Sequence, residues 1–142
     1  MLNTIYNDAK VTIQVLKADA DNETLTGSGV DMSGYEVVEF IFGIKEGDIA
    51  NHSIKAQQDS ASNFGGAQDL AGTATTVAAT ASAAGLGVLT IVRPEERYVR
   101  PVITVANITA VPAFCVAIQH TARTAPISKT GELHVSPAEG TA

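Results

Sequence analysis

Gly34-Tyr35-Glu36-Val37-Val38-Glu39-Phe40-Ile41-Phe42-Gly43-Ile44 decides the fold class. Val38, Phe40, Phe42 and Ile44 recur at every second position, so they share one face of an extended chain. Glu36 and Glu39 form no helical stripe with them, and β-branched and aromatic side chains suit a pleated strand. The same period of two continues outward. On the N-terminal side Val11, Ile13 and Val15 alternate with Thr12 and Gln14, followed by the breakers Asp19, Asp21, Asn22, Gly27 and Gly29. On the C-terminal side Lys45-Glu46-Gly47-Asp48 reads as a turn, and His52 to Gln58 as a polar strand with Ile54 and Ala56 on one side. Asp59 to Gly72 reads as loop, and Val88 to Val92 as a strand. Arg93-Pro94-Glu95-Glu96-Arg97 makes a turn. Tyr98 to Val105 returns, with Val99, Ile103 and Val105 on one face, and Pro101 predicts that this strand is at an edge or carries a bulge. Ala113 to Thr121 is the last strand, with Phe114, Val116 and Ile118 aligned. Many short strands separated by Gly and Pro turns predict an all-β sandwich or barrel.

The 142 residues fit one domain, and the expected boundaries are an N-terminal arm at 1–8, a β domain at 9–122 and a C-terminal tail at 123–142. Trp is absent and aromatic residues make up 5%, so the core must rest on Val, Ile, Leu and Ala, and partners would add stability. Net charge is -6, with nine Lys plus Arg and no dense run, which argues against nucleic acid as a partner. Leu70 to Val92 carries no charge, but its Ala, Thr, Ser and Gly content does not suit a membrane span. Within it Ala71 to Gly85 reads as an extended loop or weak edge strand, with a short helix as the alternative. The N-terminus lacks the basic head and apolar run of a signal peptide.

Residues able to do chemistry are few. Cys115 lies in an apolar run and reads as a buried small hydrophobe. His120 is five residues, or roughly 16 Å, along the strand. His52, His120 and His134 match no zinc spacing and read as exposed strand histidines. Asp19, Asp21 and Glu23 alternate as in a calcium loop, but Thr24 stands where glycine is required, so they read as a solvated acidic turn. Asp31 and Asp48 invite the same caution. Gly27-Ser28-Gly29 lacks the ending of a phosphate loop. No catalytic, metal or cofactor residue is assigned, and no enzyme activity is expected. Arg93, Arg97 and Arg100 form the one basic concentration. They read either as surface arginines paired with Glu95 and Glu96 or as a contact patch for an acidic partner.

Three stretches together resemble a known family: Gly29-Val30-Asp31-Met32-Ser33-Gly34-Tyr35-Glu36-Val37-Val38-Glu39-Phe40, Arg97-Tyr98-Val99-Arg100-Pro101-Val102-Ile103-Thr104-Val105, and Val116-Ala117-Ile118-Gln119-His120 followed by an Arg and a Pro-containing tail. In this order they resemble the small head decoration, cement or capsid-stabilising proteins encoded beside the major capsid protein in tailed phages. Pro101 departs from the pattern, since an aliphatic residue would fit that strand better. The resemblance implies a jelly-roll-like β-sandwich with extended arms, assembled as a homotrimer on the outer capsid surface of the virion after synthesis in the bacterial cytoplasm. It implies the major capsid protein as partner, bound where capsid subunits meet. The residues expected at capsid or subunit contacts are Leu2, Asn3, Thr4, Ile5 and Tyr6 of the arm, and Arg93, Arg97 and Arg100. The competing expectations are a receptor- or sugar-binding β module of a tail fibre or baseplate, and a small β-sandwich hydrolase.

Overall fold

The computed structural model describes residues 9–45, 50–79, 83–106 and 111–121. The expected arm and tail therefore lie outside the described residues. Among these residues are ten strands: β1 (Lys10–Ala20), β2 (Thr24–Thr26), β3 (Val30–Asp31), β4 (Val37–Ile44), β5 (Ala50–Asp59), β6 (Gln68–Asp69), β7 (Thr75–Ala79), β8 (Gly85–Val92), β9 (Tyr98–Thr104) and β10 (Val111–His120). They form two antiparallel sheets. One has the order β1-β10-β4-β8. The other has the order β2-β9-β5-β6, with β3 also on β9 and β7 also on β5.

A single rule generates this topology. Partners joining the two halves of the chain have residue numbers with nearly the same sum throughout: Lys10↔Gln119, Val30↔Val99, Val37↔Val92 and Ala50↔Ala79. The chain is thus one long antiparallel hairpin with its apex in the Ser60–Ala67 loop. A second fixed sum describes how the hairpin is rolled up, through Gln119↔Val38 and Ala113↔Ile44 in one sheet and Asp59↔Tyr98 and Ser53↔Thr104 in the other. Taking β2 with β3 and β6 with β7 as two interrupted strands, the eight resulting strands follow the order of a jelly roll. The β-sandwich expected from the sequence is present.

Asp59 organises the apex. Its carboxylate accepts the backbone N–H groups of Ala61 at 3.0 Å and Gly66 at 2.8 Å, which holds its pKa below the usual carboxylate value. Phe64, at φ 53°, folds back onto Gly29, where a side chain would collide with its ring.

Pro101 lies neither at an edge nor in a bulge of its own strand: β9 is flanked on both sides. The interruption is displaced onto the neighbour. The Pro101 carbonyl accepts Gly27 N–H at 2.9 Å, so its missing donor faces the gap between β2 and β3. Gly27 is required there because a side chain would run into the Pro101 ring.

The core lies between the sheets. Val38, Phe40, Phe42 and Ile44 are buried, as expected, and so are Ile54, Ala56, Val99, Ile103 and Val105. Size is matched across β4 and β10: Phe40 faces Ala117, Phe42 faces Cys115 and Ile44 faces Ala113. Two buried polar side chains tie the sheets together. Gln14 on β1 accepts Gly29 N–H at 2.8 Å, and Gln119 on β10 donates to the Asp31 carbonyl at 2.7 Å.

One expected face is corrected and one is given its direction. Val11 and Ile13 are exposed, whereas Gln14 and Val15 are buried, because a register shift between Ile13 and Val15 turns the strand over. Phe114, Val116 and Ile118 are aligned but point outward, since β10 presents its small residues Ala113, Cys115 and Ala117 to the two core phenylalanines. Ala71–Gly85 does contain an edge strand, β7, and Leu70–Val92 folds largely as strands. No helix among the described residues is long and apolar enough to cross a membrane.

Among the described residues, Phe40 and Phe42 are the large aromatic rings fully enclosed by the two sheets. Phe40→Ala is expected to destabilise the domain by about 3–5 kcal/mol. Equilibrium urea unfolding checks this through a lower midpoint with an unchanged slope.

Candidate interaction surface

The arginine turn closes the β8–β9 connection. Arg93 sits at φ 49°, and its N–H donates to the Glu36 carbonyl at 2.7 Å. Its guanidinium is 72% exposed and pairs with Glu36 at 3.3 Å. Arg97 makes a two-pronged contact with Asp31, at 2.9 Å and 2.7 Å, and lies 5.2 Å from the Tyr98 ring centre. That contact lowers the Asp31 pKa and raises that of Arg97. Arg100 lies on the outer face of the second sheet, where both prongs of its guanidinium donate to Gln57 and its plane stacks 4.5 Å from the Phe64 ring. The partners are therefore Glu36, Asp31 and Gln57, in place of the expected Glu95 and Glu96. The structure brings Arg93 and Arg97 together around an open cleft of about 350 Å³ that also involves Met32, Ser33 and Tyr35. Arg100 is held elsewhere by its own contacts. Leu2, Asn3, Thr4, Ile5 and Tyr6 lie outside the described residues, as do Asp48 and His134.

The larger feature is the outer face of the β1-β10-β4-β8 sheet. Strand registers set its side chains in rows. One row runs Leu16–Phe114–Gly43–Leu86, the next Ile13–Val116–Ile41–Val88, and the third Val11–Ile118–Glu39–Thr90. His120, Val37 and Val92 follow. Leu16 is 77% exposed, Leu86 67%, Ile13 63%, Val92 61% and Val88 54%, so the face is uncovered. Glu39 is the one acidic group in these rows, and His120 stands 3.5 Å from it. Phe114 lies flat over Gly43, where any side chain would meet its ring. The opposite sheet carries Thr24, Thr104, Ser53, Lys55, Gln57 and Arg100 outward. The sandwich therefore has one polar and one apolar outer face. The sequence aligns the apolar residues of β1 and β10 but does not say which face they occupy, because periodicity alone does not tell inside from outside.

The remaining candidates do not gather. Cys115 is fully buried, and burial pushes its thiol up to about 12. It faces inward while His120 lies on the outer face. Glu23 pairs with Lys17 at 3.0 Å, which consumes one carboxylate of the acidic turn. Among the described residues no three His, Cys, Asp or Glu side chains converge as a metal site. His52, expected at the surface, is fully buried on β5 opposite Val77. Its Nδ1 accepts Ala106 N–H at 3.4 Å, and burial lowers its pKa, so the ring is neutral with its proton on Nε2.

No family model matches this chain, and no curated protein matches it. Among solved structures it is similar to the PBSX exported protein XepA, at 16% identity and a TM-score of 0.60 over 98% of this chain. It spans 46% of that protein's length. A second similarity is to a structure described as Bacillus endospore appendages forming a novel family of disulfide-linked pili, at 13% identity and a TM-score of 0.46, covering 86% of this chain and 97% of the other.

Two outcomes are expected. Cys115 should resist an aromatic disulfide reagent in the native protein and react fully once urea unfolds it, as read by thiolate absorbance. His52 should make the domain acid-sensitive. The unfolded chain takes up a proton as pH falls through about 6.5, whereas the folded chain resists it, so stability present above that pH is lost below it. Urea midpoints at pH 7.5 and 5.5 should differ in that direction, and by less in His52→Leu. The chain thus shares its fold with the PBSX exported protein XepA, at an identity that shows the fold alone.

Proposed function

We propose that this chain is a structural protein of a phage virion, a decoration protein that binds the outside of the head and performs no catalysis. The uncovered apolar sheet face carries the structural, assembly-forming part of the reading. Contiguous apolar surface on that scale marks protein–protein contact, because leaving it in water is unfavourable. An acidic chain of net charge -6 is unsuited to nucleic acid, which leaves protein as the partner class. The shared fold with a phage-derived exported protein accords with a phage setting.

On this reading the partner is the major capsid protein, and the protein works mechanically. It bridges capsid subunits where they meet, and repeated weak contacts add up through effective concentration. The arm from Leu2 to Tyr6 and the arginine turn make the capsid contacts. Within that turn Arg93 is the residue best placed to exchange its own carboxylate for an acidic group on the capsid, because its pairing is long and its head is exposed. Arg97 is held in place by Asp31 and shapes the loop.

Co-sedimentation of the purified protein with emptied, expanded heads of the encoding phage tests the proposal. Wild-type protein should sediment with the heads to saturation. Deleting residues 2–6 should abolish binding at the same concentration, and Arg93→Glu should weaken it roughly tenfold, more at low salt than at high salt. Wild-type protein that stays in the supernatant at every ratio would sink the decoration reading.

A further inference from the structure

We infer that the apolar face of the β1-β10-β4-β8 sheet takes a second copy of this chain, packed face to face about a two-fold axis running along the strands. The inference rests on reading that face as an assembly surface and names its occupant.

Three observations lead to a second copy. The first is extent. The exposed leucines, isoleucine and valines of the face, with Phe114, offer on the order of 800 Å² of apolar surface, which is what one partner contributes to a standard stable interface. The second is charge. A self-complementary surface must not repel itself, and most of this acidic chain would do so. These rows hold no Lys or Arg, and their one carboxylate, Glu39, lies beside His120. The third is shape. Leu16, at 77% exposed, stands proud at the β1 end of its row. The other end of that same row is a hollow of about 350 Å³ lined by Gly43, Gly85, Leu86, Pro112 and Phe114, with Lys45 at its border.

A two-fold axis along the strands keeps each row at its own level and reverses its order. Leu16 of each copy then meets the Leu86 end of the other, where the hollow lies. Sheets packed in this way lie within about 30° of parallel, as in the interior of the sandwich itself. Such a contact is isologous and closes at two copies. The homotrimer implied by family resemblance would need a different surface, so the stoichiometry discriminates between the two.

The wild-type chain, measured by light scattering coupled to size exclusion over a range of concentrations, should have twice the chain mass. Leu16→Glu and Val88→Glu should each give the mass of a single chain with an unchanged far-ultraviolet circular dichroism spectrum, since both positions are exposed. Lys55→Glu, on the polar outer face, should leave the pair intact. Geometry is tested by cysteine pairs. Leu16 and Leu86 lie on opposite edge strands, roughly 14 Å apart, so no disulfide can join them within one chain. Mixing Leu16→Cys with Leu86→Cys protein under mild copper oxidation should yield a cross-linked pair. A wild-type mass of one or three chains would overturn the inference. So would a pair that survives both glutamate substitutions, or one in which the mixed cysteine variants fail to cross-link. Head binding is measured separately, so failure here leaves the decoration reading to its own test.

Discussion

The antiparallel register that joins the two halves of the chain governs everything else in this molecule. Because it holds from Lys10↔Gln119 to Ala50↔Ala79, the position of each residue along the chain dictates its partner. Strand side chains alternate, so the register also dictates which groups share a face. The pairing of Phe40 and Phe42 with Ala117 and Cys115, and the rows of the apolar outer face, are two consequences of one alignment. A slip of one residue in β10 would exchange them, burying Phe114, Val116 and Ile118 against the core phenylalanines. The close fit of Phe114 over Gly43 and the Gln119 bond to the Asp31 carbonyl oppose that slip from both faces.

Much of this was legible in the residues themselves. β4 reads correctly because its inward side chains are large and its outward ones include Glu39. β9 reads correctly on its buried face, where Val99, Ile103 and Val105 keep strict alternation. β1 misleads because a bulge between Ile13 and Val15 inserts one residue, and an alternating pattern carries no mark of where the count shifts. β10 is aligned correctly, but its direction was not legible. Its buried side is the small one, and small residues are selected by the size of their partners across the sheet, which lie some seventy positions away in the sequence. His52 belongs to the same class, since its flanking residues are polar and its burial is decided by β7 and Ala106. Arg93, Arg97 and Arg100 stand out in the sequence, but the side chains they pair with do not. Asp31 and Glu36 come to Arg97 and Arg93 through pairings that local sequence does not contain.

Polarity is divided between the two outer faces. Lys, Arg, Gln and Thr cover the β9–β5 side, and aliphatic groups cover the β10–β4 side. Within an antiparallel sandwich only the inner faces must be apolar. An apolar outer face therefore answers to something beyond the fold of a single chain. The edges of that sheet bear on what can cover it. β1 is bulged twice along its length, which breaks the regular row of donors and acceptors that an incoming strand would need. Growth by edge addition is thereby disfavoured, while stacking on the face remains open.

The side-by-side placement of Lys10 and Gln119 has a mechanical meaning. Both ends of the described domain leave from the same end of one antiparallel strand pair. Tension applied between them would act across the β1–β10 ladder and strain its hydrogen bonds one pair after another, as in opening a zipper. Tension spread over a sheet face strains many contacts together. The domain would therefore resist load far better through its broad faces than through its two ends. Whatever leaves the domain beside Lys10 and Gln119 is better suited to tethering than to bearing sustained pull.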